Sequence, residues 1–354
     1  MRAPLRLWQA LERIPGLAAV VQEWRSLLGD EYELVEAFLR PNGKLATGYP
    51  CPESEGCGCV HAVVAHAPDD SVAVCRCTPR RCEAIPLRRQ DIVVYELNRS
   101  ALGASIASAL QITQDEKASV DRLPMTFRIG TYFPYAGFRF PVFMTFQIEP
   151  EEYRRVVEAL VARNDKPFVL LAPTRDLHGS DCEDFLRRRD AAFFPLSEFL
   201  VWDDKGALTT NRPVEEIWSE FRQTVLPSPK DSDSMAFFPT PPGSTWGDVS
   251  IRFKDGHTVS VKVKSAGGVY NYTQMGMANK KNGEPTVQWK LLYAFSEGRG
   301  VLDWTSPHAH RKNQKRREKL AENLRSFFRI EGDPFRVTDD GKGWQARFSI
   351  LPDE

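Results

Sequence analysis

The sequence predicts a multi-domain α+β protein, and three observations carry this prediction. Six of the seven cysteines lie between Cys51 and Cys82. Segments with the lengths of a strand, a helix and a strand follow one another between residues 124 and 172, and a stretch rich in proline and serine precedes a basic C-terminal part. The expected parts are a helical, cysteine-containing module at residues 1–120, a small α/β domain at 121–227, a linker at 228–245 and a further domain at 246–354.

Composition narrows the class of protein. A hydrophobic content of 42% with 27% charged residues is ordinary for a soluble globular chain. No apolar run approaches the roughly 20 residues of a membrane helix, and no secretory signal is visible at the N-terminus, so we expect a cytoplasmic protein without membrane contact. The 47 basic and 47 acidic residues cancel, but residues 246–354 carry 19 Lys and Arg against 13 Asp and Glu, a surplus of 6. That surplus favours an anionic partner.

The first elements are predicted to be helical. Apolar residues at helical spacing indicate two short helices within residues 4–28, separated at Pro15-Gly16. A third helix is expected at 31–39, before a turn at Pro41-Asn42-Gly43. We expect these helices to pack against the cysteine-rich segment that follows.

The cysteine-rich segment reads as two valine-rich strands joined by a turn, with cysteines at both ends. A hairpin brings those ends together, and Zn²⁺ takes four ligands tetrahedrally, with Zn–S distances of about 2.3 Å. Such an ion stabilises a β-unit that has few apolar residues. The predicted ligands are Cys51, Cys59, Cys75 and Cys82, with Cys57 and Cys77 as alternatives.

Two other interpretations of the cysteines remain: a disulfide framework and a set of reduced buried thiols. Disulfides are typical of small secreted chains, so the absence of a secretory signal favours metal binding. A structural role is expected for the ion because the H-x-E…C-x-x-C pattern of zinc deaminases is absent. His61 or His66 would replace one cysteine in a Cys₃His site. The cysteine spacings are C-x5-C-x-C and C-x-C-x4-C, and the layout resembles a zinc ribbon.

The α/β segment ends in a polar loop after a strand that finishes near Leu171. Ligands of open α/β sheets bind beyond the carboxyl ends of strands, so this loop is a candidate enzyme site. A cysteine and a histidine there could act as nucleophile and base, although no orienting partner is evident in the sequence. The chain has no Walker loop and no G-x-G-x-x-G motif. The residues of this candidate site are Thr174, Arg175, Asp176, His178 and Cys182.

The C-terminal part predicts a small antiparallel sheet with an Asp255-Gly256 turn, two helices and a terminal hairpin. The first helix runs from Pro285 to Gly298, and the second is rich in Lys and Arg. Helical spacing places one apolar stripe on each helix, with Arg311, Lys315 and Lys319 opposite the second stripe. The predicted stripe residues are Trp289, Leu292 and Phe295, then Leu320, Leu324, Phe327 and Phe328.

This order, with the motifs P-T-V-Q-W-K-L-L-Y-A-F, R-E-K-L-A-E-N-L-R and G-W-Q-A-R-F, resembles the winged-helix DNA-binding domain of response-regulator effectors over about residues 246–350. In place of that family's middle helix the sequence has V-L-D-W-T-S-P-H-A-H. The resemblance implies a recognition helix in the major groove and a wing near the phosphates. The DNA-binding residues it implies are Arg311, Lys312, Lys315, Arg316, Lys319 and Lys342.

The sequence thus predicts a zinc-ribbon-like N-terminal module, a central α/β domain and a C-terminal winged helix preceded by an antiparallel sheet. The predicted function is a non-enzymatic, zinc-containing regulator that binds double-stranded DNA. The first alternative is an adaptor that keeps the winged fold and binds protein instead of DNA. The second is an enzyme that uses the loop after Leu171.

Overall fold

The computed structural model describes residues 5–51, 58–114, 123–227, 236–279, 281–307 and 310–353. The chain divides into two compact units. One comprises Met1–Tyr132 with Phe140–Val225, and the other comprises Phe133–Arg139 with Leu226–Glu354. The second unit therefore includes a short segment from the connection between two strands of the first. Among the described residues, no helix combines the length and the apolar character needed to span a bilayer.

The N-terminal part of the first unit contains short helices and two small sheets. The sequence placed a turn at Pro41-Asn42-Gly43, but these residues lie in an edge strand with an irregular register after Pro41. Gly43 has a φ of 79°, and a β-bulge on an edge strand accommodates both proline and a left-handed glycine. The elements are α1 (Arg6–Leu11), β1 (Ala18–Val20), α2 (Val21–Leu28), α3 (Tyr32–Val35), β2 (Leu39–Leu45), β3 (Gly48–Pro50), β4 (Val60–Ala67), β5 (Asp70–Val74), β6 (Ile85–Leu87), β7 (Val93–Leu97) and α4 (Arg99–Ala109).

These strands form two antiparallel sheets, in the orders β1-β7-β2 and β3-β4-β5-β6. The predicted valine-rich hairpin is present as β4 and β5, paired from Ala62 opposite Val74. Helix α2 packs on the first sheet, where the Trp24 indole N–H donates a hydrogen bond to the Tyr95 carbonyl at 3.1 Å. The cysteine-rich hairpin is thus part of a four-stranded sheet.

The remainder of the first unit is an α/β layer. Strand β10 is buried along its whole length, as expected for a parallel strand covered on both faces. Its sheet has the order β11-β10-β9-β8, in which β8 is antiparallel and the other three strands are parallel. The elements are β8 (Thr126–Tyr132), β9 (Phe140–Thr145), α5 (Pro150–Arg163), β10 (Val169–Ala172), α6 (Ser180–Arg187), β11 (Ala192–Pro195), β12 (Leu200–Trp202), β13 (Leu208–Thr210), α7 (Val214–Ile217) and α8 (Ser219–Val225).

The second unit combines two sheets and two helices. All seven apolar stripe residues predicted for the two helices are buried. Phe238, which the sequence assigns to the linker, is fully buried in the same core, and the Thr240 hydroxyl donates to the Phe328 carbonyl at 2.6 Å. The elements are β14 (Val249–Phe253), β15 (Thr258–Val263), β16 (Ala266–Asn271), α9 (Val287–Glu297), β17 (Val301–Asp303), α10 (Asn313–Phe328), β18 (Phe335–Val337), β19 (Gly343–Ala346) and β20 (Ser349–Leu351).

The strand orders in this unit are β16-β15-β14-β20 and β17-β19-β18. Strand β20, which the sequence did not predict, lies parallel to β14 and so joins the end of the chain to the first strand of the unit. Strand β17 pairs with β19 of the terminal hairpin. The short strand between the two helices is therefore tied to the hairpin that follows the second helix.

Candidate functional site

One face of the sheet β3-β4-β5-β6 changes from apolar side chains to metal-ligating ones along its length. Tyr49, Ala73 and Leu87 are buried on this face, where they form a small core. Side chains alternate along a strand, so His61 lies on the same face of β4 as Val63, and Cys75 follows Ala73 on β5. His61 and Cys75 are both buried. The apolar face therefore ends in a thiol and an imidazole.

Six described side chains meet at this end of the sheet as two groups of three. In each group the ligand atoms all lie within 4.8 Å of one another, and each group could hold a metal ion. The register explains the grouping, because continuing the β4–β5 pairing by one step sets His61 opposite Cys75 and by three steps sets Cys59 opposite Cys77. The groups are Cys51, His61 and Cys82, and Cys59, Cys75 and Cys77.

The four cysteines predicted as one ligand set are divided between these groups. The Sγ atoms of Cys51 and Cys82 lie 3.7 Å apart, and those of Cys59 and Cys75 also lie 3.7 Å apart. Cys77, an alternative in the prediction, joins the second pair, whereas Cys57 lies outside the described residues. His61 was considered only as a substitute ligand. Its position two residues after Cys59 is the signal that places both on one strand face.

The loop after β10 holds a different constellation. The Thr174 amide and hydroxyl donate hydrogen bonds of 3.1 and 2.6 Å to the two carboxylate oxygens of Glu12. Burial nevertheless raises the pKa of Glu12 above its ordinary value. Asp176 donates its amide N–H to the Thr174 hydroxyl at 3.0 Å. This part of the predicted enzyme site thus ties α1 to the end of β10.

His178 and Cys182, proposed from the sequence as base and nucleophile, have different neighbours. His178 Nδ1 lies 2.9 Å from the Tyr153 hydroxyl, and its ring stacks on Phe193 at 3.8 Å. Cys182 is buried in the core formed by α5 and α6, and this burial raises the pKa of its thiol. A nucleophilic cysteine needs a lowered pKa or an adjacent base, so these positions do not favour thiol catalysis.

We expect His178 to make the first unit less stable in mild acid. Burial, and secondly the charge of Arg175, lowers its pKa from 6.5 to about 4. The folded state thus binds this proton less well than the unfolded state, so the stability is present above pH 6.5 and is lost as the pH falls towards 4. The ring is partly exposed, and after allowance for solvent screening the loss is about 1–2 kcal/mol.

An NMR titration of the full chain, with the resonance assigned by its loss in His178→Gln, tests this prediction. The signal should titrate near pH 4. Urea unfolding of wild type and variant should show a smaller loss of stability on acidification in His178→Gln. A resonance that titrates near 6.5 would contradict the prediction.

The second candidate surface surrounds the start of α10. Arg311 and Lys312 precede this helix, Lys315 and Lys319 are exposed on it, and Leu320 begins its buried stripe. The first turn holds no acidic residue, and Lys312 at the N-cap makes no side-chain capping bond. Cations are unfavourable at a helix N-terminus, where the backbone N–H groups point outward. The local charge is therefore suited to an anion.

Two of the neighbouring arginines have partners within the unit. Arg317 forms a 2.8 Å ion pair with Asp333, and Arg316 donates to the Asn313 side chain at 3.4 Å. Arg317 therefore has a structural role, and Arg316 is positioned beside the start of the helix. Lys342, the remaining residue predicted to contact DNA, is exposed in the turn between β18 and β19.

A compact turn stands where the resembled family has its middle helix. The Asp303 carboxylate accepts hydrogen bonds from the Thr305 hydroxyl and amide at 2.7 and 2.8 Å, and from the Ser306 amide at 3.0 Å. These bonds, the Thr305 hydroxyl first, lower the pKa of Asp303. The turn leaves Trp304 58% exposed. Pro307 follows directly, in agreement with the expectation that this segment is not a regular helix.

The fold and these sites define a mixed α/β protein of two compact units, with cysteine and histidine groups that could hold metal. No family model, curated protein or solved structure matches the chain. Its function is therefore argued from its own residues.

Proposed function

We propose that this protein is a zinc-containing regulator that binds duplex DNA through α10 and the β18–β19 hairpin of its second unit. The observation that carries the proposal is the concentration of exposed cations around the N-terminus of α10. Phosphate contacts from Lys and Arg supply most of the affinity of such surfaces, and backbone N–H groups at a helix N-terminus add to it. The proposed phosphate and base contacts are Arg311, Lys312, Lys315, Arg316, Lys319 and Lys342.

The topology of the second unit supports this proposal. Helix α9, strand β17, helix α10 and the hairpin β18–β19 follow one another, and β17 pairs with the second strand of the hairpin. Helix α10 buries Leu320, Leu324 and Phe327 while Lys315 and Lys319 face solvent. A helix held from behind by its apolar stripe, with a hairpin beside it, is the arrangement that places side chains in a DNA groove.

The role proposed for zinc is structural. The cysteine-rich sheet has few apolar residues in its core, and thiolates are the ligands that Zn²⁺ prefers at closed sites. We propose that the ion holds together the ends of β3, β4 and β5.

A fluorescence anisotropy titration of the full chain with random duplex DNA, repeated across a salt series, tests the DNA-binding proposal. Six basic residues at the surface predict a log–log slope of about −4 to −5. Lys315→Glu with Lys319→Glu should lower the affinity about 10- to 100-fold and reduce the slope by about 2. Absence of binding at low salt would overturn the proposal.

The matched control is Lys262→Glu. Lys262 is an exposed lysine of the same unit, but it lies on β15 between Val261 and Val263, which face the core. Its side chain therefore points away from the helices. We expect its effect on affinity to be much smaller than that of the α10 pair. An equal effect would show that general charge, rather than α10, governs binding.

A protein partner is the second candidate, because Trp304 and Val337 are 58% and 60% exposed beside the same basic surface. Apolar contacts of an adaptor are far less sensitive to salt than phosphate contacts. The salt series therefore separates the two functions. Trp304→Ala should abolish the binding of such a partner while leaving the salt slope for DNA unchanged.

A further inference from the structure

The distances within the cysteine-rich sheet fit metal coordination and not disulfide bonds. Two thiolates on one tetrahedral zinc, each about 2.3 Å from the ion, are separated by about 3.8 Å. The Cys51–Cys82 and Cys59–Cys75 Sγ separations are both 3.7 Å. A disulfide has a length of about 2.05 Å. Each pair of sulfur atoms thus has the separation of two ligands that share an ion.

Six ligand atoms exceed the capacity of one tetrahedral ion. Ligands of a single ion lie about 3.8 Å apart, and the described ligand atoms come within 4.8 Å of one another as two separate groups of three. One ion would leave two of the six side chains without a metal. Each group contains a buried member, His61 in the first and Cys75 in the second.

We infer that the cysteine-rich sheet binds two zinc ions, one held by Cys51, His61 and Cys82 and the other by Cys59, Cys75 and Cys77. This inference rests on the zinc binding proposed above and adds the number of ions and the ligands of each. The first ion has one nitrogen and two sulfur ligands from these residues, and the second has three sulfur ligands. Each tetrahedral ion has a fourth position. The two sites therefore differ in donor set.

The two groups are adjacent along the strands. Pro50 pairs with Val60, so the next residues along this pairing are Cys51 of the first group and Cys59 of the second. His61 and Cys59 are two residues apart on one face of β4. Ions bound to the two groups are consequently neighbours, and a ligand lost from one group leaves the other group complete.

The stoichiometry of cobalt binding tests the inference. The full chain, freed of metal under reducing conditions, is titrated with Co²⁺, whose visible absorption and sulfur-to-metal charge transfer report tetrahedral thiolate sites. We expect saturation at two equivalents. Native mass spectrometry of the zinc-loaded wild type should give the same count without relying on any variant. Saturation at one equivalent would overturn the pair of sites while retaining structural zinc, and absence of binding would overturn both proposals.

Single variants assign the ligands. His61→Ala and Cys77→Ser should each reduce the count from two ions to one, and the ion left in His61→Ala should show only sulfur donors from the second group. The controls are His66→Ala, an exposed histidine on the same strand, and Cys182→Ser, a cysteine in the core of α5 and α6. Both controls should keep two ions. A count of two in both ligand variants would refute the assignment. DNA binding by the second unit is measured separately, so a negative result there leaves this test intact.

Discussion

Removal of metal from the full chain should unfold the sheet β3-β4-β5-β6 and leave the α/β layer of the same unit folded. The buried apolar residues of this sheet's core are few: Val20, Tyr49, Ala73, Leu87 and Ile92. Structural zinc contributes about 10–16 kcal/mol in small zinc-binding peptides. A sheet with such a small core cannot replace that contribution by apolar burial.

Hydrogen exchange measured by mass spectrometry should show this loss region by region. With a chelator under reducing conditions, we expect amide exchange in β4 and β5 to accelerate by at least about 100-fold, equivalent to roughly 3 kcal/mol of lost protection. Peptides covering α5 and β10 should not change. The control is the same chelator saturated with zinc. Unchanged protection of β4 and β5 in protein shown to be metal-free would refute a structural role for the ion.

The elements with regular hydrophobic patterns were predictable from the sequence. Helix α10 shows why: Leu320, Leu324 and Phe327 repeat at helical spacing, and all three are buried. The valine-rich hairpin β4–β5 was equally legible, because both strands are short and a turn separates them. In these segments the local pattern and the tertiary environment favour the same structure.

Other elements depend on contacts that no local pattern contains. Strand β20 consists of Ser349–Leu351 and exists as a strand because it pairs with β14, about 100 residues earlier in the chain. Phe238 lies in a stretch rich in Pro and Ser, yet its ring contacts Phe327 and Phe328. Composition alone assigns such a stretch to a linker, because it does not show where a single aromatic residue is buried.

The candidate metal site was partly predictable. The cysteine cluster and the hairpin that gathers it follow from the sequence, but the division of the ligands does not. Whether Cys59 approaches Cys75, Cys77 or Cys51 depends on the register of three strands, and a slip of one residue moves each side chain to the opposite face. The grouping of His61 with Cys51 and Cys82 is thus a property of the folded sheet.

Replacement of Trp218 by alanine should destabilise the first unit by about 3–5 kcal/mol, the range for large buried aromatic residues. Trp218 is 1% exposed. Its ring stacks on Tyr132 at 3.9 Å and meets the edge of Phe194 at 5.0 Å. Its indole N–H donates a hydrogen bond to the Leu110 carbonyl at 3.0 Å. The side chain thus connects α4, β8 and the residues around β11, and alanine would leave a cavity among them.

Two further variants separate packing from hydrogen bonding. Trp218→Phe retains much of the aromatic packing but loses the indole donor, so we expect a cost of about 1–3 kcal/mol for the Leu110 carbonyl left without its partner. Trp304→Ala removes the same side chain from a site where it is 58% exposed and should change stability by no more than about 0.5 kcal/mol. Urea unfolding followed by circular dichroism gives these values. An equal cost for Trp218→Ala and Trp304→Ala would mean that Trp218 does not stabilise the core through its packing. A ranking of alanine above phenylalanine above the exposed control is expected because the lost cavity contacts outweigh the single hydrogen bond.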